Sequence, residues 1–263
     1  MKVQTDLEAP PPRSVRTDIG RTNRQLIWAR LRRDKAAMVG LVLVAVILLI
    51  AVAAPVLANI AGHGPNELFD NMRTVLGLPK GPNARFWFGA DQVGRDLFVR
   101  VMYGARTSLI VSVVGTSIAT LIGVVVGSIA GYYRRRLDTL ISRSIDVWLS
   151  LPLLLFAVGL STVCSASVKG CLGGLLQPGL PLVTGIIALF TWPYIARIVR
   201  GQVISLRERE FVEASRAMGS NDARIMFSEI LPNLMAPILV YATLTIPGNI
   251  LFEAALSFLG VGV

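Results

Sequence analysis

The sequence predicts an all-α, polytopic membrane protein that crosses the bilayer five times. Three observations carry this. Hydrophobic residues make up 53% of the 263 and charged residues only 16%, with a mean hydropathy of +0.62, whereas soluble domains carry about 25% charged residues. The apolar residues are gathered into runs long enough to cross a hydrocarbon core, which takes about 20 residues of helix. The basic residues fall between those runs, not on one face or arm interleaved with aromatics. The net charge of +10 therefore reads as orientation in a lipid bilayer, and no nucleic-acid partner is expected.

Residues 1–35 contain APPPRS and, after Lys2, eight further arginines or lysines. They read as a flexible tail leading into a basic helix, RQLIWARLRRDK. No cleavable signal peptide is expected in them, because no short apolar region precedes a small-residue cleavage site. The remainder, 36–263, reads as one transmembrane domain. Ala36–Ile60 is free of charge and forms the first span, with Pro55 near its far end. A polar, glycine- and proline-bearing segment, 61–106, leads to the second span, 107–130. Within it ATLIGVVVGSIAG sets Ala119, Gly123, Gly127 and Gly131 four residues apart on one helix face. Small residues at that spacing let two helix backbones meet inside lipid, and this face is taken as a packing seam rather than chance glycine. The short basic loop YYRRRLDTLISRS precedes a third span, 145–163, with Pro152 early in it. A glycine-rich loop, 164–180, a fourth span, 182–199, a charged loop over 205–232 and a fifth span, 234–256, complete the order.

With a cytoplasmic N-terminus, the pieces 1–35, 131–144 and 197–231 hold 9, 4 and 6 of the 26 Lys and Arg, against 6 and 1 in the loops 61–106 and 164–180. The positive-inside rule puts the N-terminus and the charged loop in the cytoplasm. Cys164 and Cys171 are the only cysteines and His63 is the only histidine. A zinc site is not expected. If their loop faces an oxidising compartment the two cysteines close a small disulfide, and otherwise they are free thiols.

The charged loop is patterned. Phe211, Ala214, Ser215 and Met218 fall at i, i+3, i+4 and i+7, one small-to-apolar helical face, with Arg209, Glu210, Glu213 and Arg216 elsewhere. Gly219 sits where a helix end wants a left-handed residue. Ser220 or Asn221 can cap a second helix running from Asp222 to Ile230, before Pro232 opens the last span. Such a segment lies in the lipid headgroups, forms an idle structured loop, or docks in a partner's groove. Its narrow face of small residues favours docking.

EASRAMG, eleven residues and then LP resemble the EAA loop of ABC importer permeases: Glu213, Ala214, Ser215, Gly219, Leu231 and Pro232. Ser215 stands in place of the second alanine, and Glu229 where an aliphatic residue is common. FGADQVGRDLFVRVMYGARTSL, with Asp91, Gly94, Arg95 and Asp96 followed by Arg100, Tyr103, Gly104 and Arg106, is similar to the segment before the second span of the dipeptide/oligopeptide/nickel permeases, C-type subunit. WPYIARIVRGQVISLREREFVEASRAMG and ILFEAALSFLGVGV resemble the same family, and the likeness runs from about residue 25 onward. It implies a type I ABC importer permease fold. It also implies a second permease subunit completing a heterodimeric pore, two ATP-binding subunits that carry ATP and Mg, and an extracytoplasmic solute-binding protein. The site would be a bacterial inner membrane. Glu213 would meet the ATPase electrostatically, and Gly219 would permit the turn between the two helices. Relatives of this type continue past SFLGVGV into a sixth span.

The sequence carries no GxxxxGK[ST] phosphate loop and no nucleophile–base or metal constellation. No catalytic residue and no cofactor bound by this chain are expected, and ATP hydrolysis is assigned to separate subunits. A secondary transporter would place acids midway through its spans, yet only Asp146, at the start of the third, and Glu253, near the outer end of the fifth, qualify. Glu253 either lines the outer mouth of the pathway or is paired locally. Asp91, Arg95 and Asp96 either receive a solute-binding protein or shape their own loop, and Arg106 snorkels. A scaffold that recruits an ATPase without transport remains a rival class. Di- or oligopeptides are the expected substrate, with nickel or a metal chelate as the alternative.

Overall fold

The computed structural model describes residues 28–29, 31–74, 76–133, 135–166, 170–174, 176–260 and 262. Of the tail and basic helix expected over 1–35, residues 1–27 and 30 lie outside them. The chain divides between Leu49 and Ile50 into two compact units. In the first, residues 31–33 are helical, the Arg32 guanidinium lies 5.1 Å above the Trp28 ring, and helix α1 (Lys35–Ala61) begins where the Ala37 N–H donates to Asp34 Oδ1.

In the second unit α1 ends with a buried small face, Ala51, Ala54 and Ala58, opposite an exposed apolar one, Val52, Val56 and Ile60. Five longer helices follow: α2 (Leu97–Tyr132), α3 (Arg136–Ser150), α4 (Leu153–Ser165), α5 (Leu180–Leu206) and, after the short α6 (Glu210–Ala217), α7 (Leu231–Phe258). Among the described residues there are only isolated β-bridges and no strand. Among the described residues four helices (α1, α2, α5, and α7 together with the helical segment from Asp222 that precedes it) are long and apolar enough to cross a membrane, and α3 with α4 makes a fifth crossing if counted as one broken span.

The 36 residues of α2 extend about 54 Å, so its two ends lie well beyond a hydrocarbon core about 30 Å thick. Its partner along this length is α5, and the glycines decide how close the pair comes. A methyl on Gly123 would lie 2.8 Å from Ile195 Cβ, on Gly127 2.5 Å from the Ala196 carbonyl oxygen, and on Gly131 2.8 Å from Val203 Cβ. Ala119 is fully buried in the same line. Gly115, 2.8 Å from Ile187 Cγ2 by the same construction, extends it one step further.

Two apolar clusters sit toward opposite ends of the bundle. Val111 of α2, Ala157 of α4, Ile186 and Phe190 of α5 and Leu256 of α7 build one. Val199 and Val203 of α5, Val212 of α6, Ile225, Ile230 and Leu234 build the other.

The third span, expected over 145–163 with Pro152 early in it, corresponds to a helix pair that starts further upstream, at Arg136. It is broken into α3 and α4 with a bend of 83° at Leu151–Pro152. Proline has no N–H to continue the ladder, and its ring drives the preceding residue out of the helical region. Leu151 is accordingly extended, at φ −72° and ψ 132°. Only α4 is free of charged residues. α3 is amphipathic and is tied to α5 by two ion pairs, Asp138–Arg200 and Asp146–Arg197.

Candidate functional site

Two polar assemblies occupy the two ends of α2. At its start, Asp96 caps the helix by accepting from the N–H groups of Phe98 and Val99. Its second oxygen, Oδ2, accepts from His63 Nδ1 at 2.7 Å, while His63 Nε2 accepts from Arg85 Nε at 3.1 Å. That pattern fixes a neutral imidazole with its proton on Nδ1. The ring stacks on Phe86 and leans on Phe69, and both His63 and Asp96 are buried. Asp91 is held five residues upstream: Oδ1 accepts from the N–H groups of Val93 and Arg95, and Oδ2 accepts from Arg95 Nε. Burial works against ionisation of Asp91, but those N–H groups and the Arg95 guanidinium outweigh it and hold the carboxyl below its ordinary value. Gly94 turns the chain at φ +92°, and a Cβ there would lie 2.9 Å from Phe69 O. Within the loop motif Asp91 and Arg95 bond to each other, Asp91 also lies within ion-pair range of Arg100, and Asp96 is engaged inward by His63 and the start of α2.

Beside it opens a cavity of about 470 Å³ between the starts of α2 and the end of α7. Glu253 lines it and is only 5% exposed. Its carboxylate accepts from Ser108 Oγ at 2.6 Å and Ser257 Oγ at 2.9 Å. Cys164 and Cys171 form a disulfide with an S–S distance of 2.04 Å; Cys164 is buried in the apolar cluster of Val111 and Ala157, and Cys171 packs against its margin.

At the other end, α6 projects the charged loop. It starts at Glu210 and stops at Ala217, where Gly219 takes φ +84° and Asn221 caps the next turn through a bond from the Arg224 N–H. Residues Asp222–Arg224 are α-helical and Ile225–Ile230 form a π-helix that runs directly into α7. Pro232 lacks the N–H that would reach the Ser228 carbonyl, which favours the wider winding just before it. Of the expected docking face, Phe211 (38% exposed), Ala214 and Met218 (80% exposed) are open to solvent, as is Glu213. Ser215 is not part of that surface. It is buried beside Val212, which anchors α6 in the lower apolar cluster. A helix this short needs one face for its own chain, and i, i+3 from Val212 is Ser215. Leu231 is half-buried against the same cluster and Pro232 is exposed.

Three contacts tie this loop to the end of α2. The Arg207 guanidinium donates to the carbonyls of Tyr132 at 2.8 Å and Gly131 at 3.3 Å, the terminal acceptors of that helix. Tyr132 Oη donates to Asp222 Oδ1 at 2.7 Å. These residues, with His63, Arg85, Val212 and Ser108, escape sequence reasoning because their partners lie far along the chain. Gly115 alone carried a readable signal, one further four-residue step upstream of Ala119.

A family model described as a binding-protein-dependent transport system inner membrane component matches residues 123–263, and one described as the N-terminal TM domain of oligopeptide transport permease C matches residues 22–76. The chain is 38% identical over 256 residues to the dipeptide transport system permease protein DppC of Alkalihalophilus pseudofirmus, covering 97% of this chain and 76% of that one. It is 38% identical over 235 residues to the oligopeptide transport system permease protein OppC of Bacillus subtilis, covering 89% and 70%. A chain of the MetNI methionine ABC transporter, solved in inward facing conformations, shares the fold with a TM-score of 0.52 at 23% identity, over 62% of this chain and 75% of that one.

Proposed function

Because this multi-pass membrane protein belongs to the family of binding-protein-dependent transport system inner membrane components, we propose that it is the C-type permease subunit of an ATP-driven importer of di- or oligopeptides. It forms half of a pore with a second, different permease subunit. Two ATP-binding subunits hold the ATP and Mg and perform the hydrolysis, and an extracytoplasmic binding protein delivers the solute. The observation that carries the coupling role is α6: a short helix held by Val212, with Phe211, Glu213, Ala214 and Met218 left open at the end of the bundle. Docking of such a strip in a groove is a known recognition mode. The relatives' names, dipeptide and oligopeptide permease, support peptide over nickel.

Motion of α6 reaches the pore through Arg207 and Asp222, which hold the end of α2, and α2 carries it along the glycine seam to α5. The N-terminus and α6 face the cytoplasm in a bacterial inner membrane, and the loop that holds His63 and Asp91 faces outward. Two single cysteines test the orientation: Ala217→Cys is labelled by an impermeant maleimide only from the cytoplasmic side and Ala84→Cys only from outside. External labelling of Ala217→Cys overturns the coupling role. Reconstitution with the partner subunits tests the activity itself, with ATP-dependent uptake of a tripeptide expected and uptake of nickel(II) alone contradicting it.

A further inference from the structure

The cavity beside the start of α2 contains an acid with no cationic partner among the described residues. Glu253 is the only charged residue in the 28 residues of α7, and it is buried. Among the described residues its carboxylate accepts only from two neutral serine hydroxyls, and no cation lies within ion-pair distance. An ionised carboxylate taken out of water without a cation is unfavourable, and ionisable groups at such depth mark functional positions. Across the same cavity stands Arg100. Its Nη1 is buried without a hydrogen-bond partner, 3.5 Å from Asp91 Oδ2, which lies within ion-pair range but is already engaged by Arg95. Asn66 and Tyr103 complete a polar lining. Among the described residues one wall therefore carries an acid without a cation, and the other a guanidinium whose one carboxylate partner is shared with Arg95.

We propose that this cavity is a binding station for a zwitterionic solute, in which Glu253 receives a primary ammonium and the exposed part of the Arg100 guanidinium, whose side chain is 36% exposed, donates to a carboxylate or carbonyl oxygen of the same molecule. The proposal rests on the peptide reading above and deepens it: the free amino terminus of a peptide is the ammonium, and the backbone beyond it supplies the acceptor. Ser108 on α2 and Ser257 on α7 hold the carboxylate open toward the cavity, so occupation bridges two helices that line it. An ethanolamine phospholipid headgroup carries the same pair of charges, and the test separates the two sources.

The experiment uses the whole transporter, with Ala254→Cys on the cavity wall as the reporter, since both native cysteines are joined in the disulfide. The rate of maleimide labelling is followed in phosphatidylglycerol nanodiscs while tri-alanine or N-acetyl-tri-alanine is added, and tri-alanine uptake is measured in parallel. Tri-alanine slows labelling and the acetylated peptide, which has no ammonium, does not. Glu253→Gln raises the half-protecting concentration of tri-alanine by about 30-fold or more, as loss of one partner of a buried charge contact requires. Uptake without protection, or equal protection by both peptides, overturns the station and leaves the peptide reading standing. Nickel(II) uptake without tri-alanine uptake overturns the peptide reading and the station with it. If phosphatidylethanolamine alone blocks labelling and tri-alanine adds nothing, a headgroup is the occupant and the station for solute is overturned.

Discussion

Gly127→Ala is a small change placed where the backbone leaves no room for it. The added methyl lies 2.5 Å from the Ala196 carbonyl oxygen and 2.9 Å from Val199 Cβ. Neither atom swings away, since one is main chain and the other is bonded directly to it. Ordinary contact begins near 3.5 Å, so α2 and α5 must part by about 1 Å along the seam. Overpacking of this kind costs about 1–3 kcal/mol. Alanine also favours helix over glycine by up to about 1 kcal/mol, and a control removes that contribution: Gly201→Ala on α5, where a methyl meets nothing within 4 Å. The two variants share the propensity gain and differ only in the clash. At about 2–4 °C per kcal/mol, their thermal midpoints in the purified complex should differ by about 2–12 °C, with Gly127→Ala the lower. Equal midpoints, or a higher one for Gly127→Ala, would mean that α2 and α5 do not pack closely at this face.

Two further outcomes follow from the loops. The Asp91 carboxyl titrates below the ordinary carboxylate value in the folded protein, so its support is fully present at neutral pH and fades as pH falls below about 4; Asp91→Asn should remove that fading, read as protease sensitivity of the 61–106 loop across pH 3–7. Arg207→Met strands the terminal carbonyls of α2 at Gly131 and Tyr132; with charge-assisted bonds contributing about 1.5–3 kcal/mol, it should lower uptake per ATP hydrolysed while the ATP-binding subunits still co-purify, and unchanged stoichiometry would remove Arg207 from the relay.

The seam was legible in the sequence because four-residue spacing is itself the geometry of a helix face: Ala119, Gly123, Gly127 and Gly131 needed no knowledge of what they touch. Gly219 was legible for the same kind of reason, since its positive φ is demanded by a turn that the surrounding helical pattern announces. The third span was not, although Pro152 was in plain view. Hydropathy records that residues 145–163 are apolar enough to be buried but is blind to direction, and the 83° bend comes from the backbone of Leu151. Ser215 was misplaced because a four-residue apolar pattern has two readings on an eight-residue helix, and only the depth of Val212 decides between them. The pairs that build the two ends of α2 were out of reach altogether: Ser108 meets Glu253 across 145 positions and Arg207 meets Tyr132 across 75, distances over which no local pattern encodes a partner.

The proposed coupling depends on docking of α6, and Glu213 tests it without touching the spans, since its side chain is exposed and belongs to neither apolar cluster. A charged contact broken on one side typically costs about 2–5 kcal/mol, which is about 30-fold or more in binding. The decisive measurement is ATP hydrolysis by the reconstituted complex, with the amount of ATP-binding subunit that co-purifies, for Glu213→Lys against the unaltered chain. Docking predicts a permease that still reaches the membrane and pairs with its sister subunit but retains little ATP-binding subunit and little solute-stimulated hydrolysis. Full retention with normal stimulation would contradict it and leave α6 a structured loop without a partner.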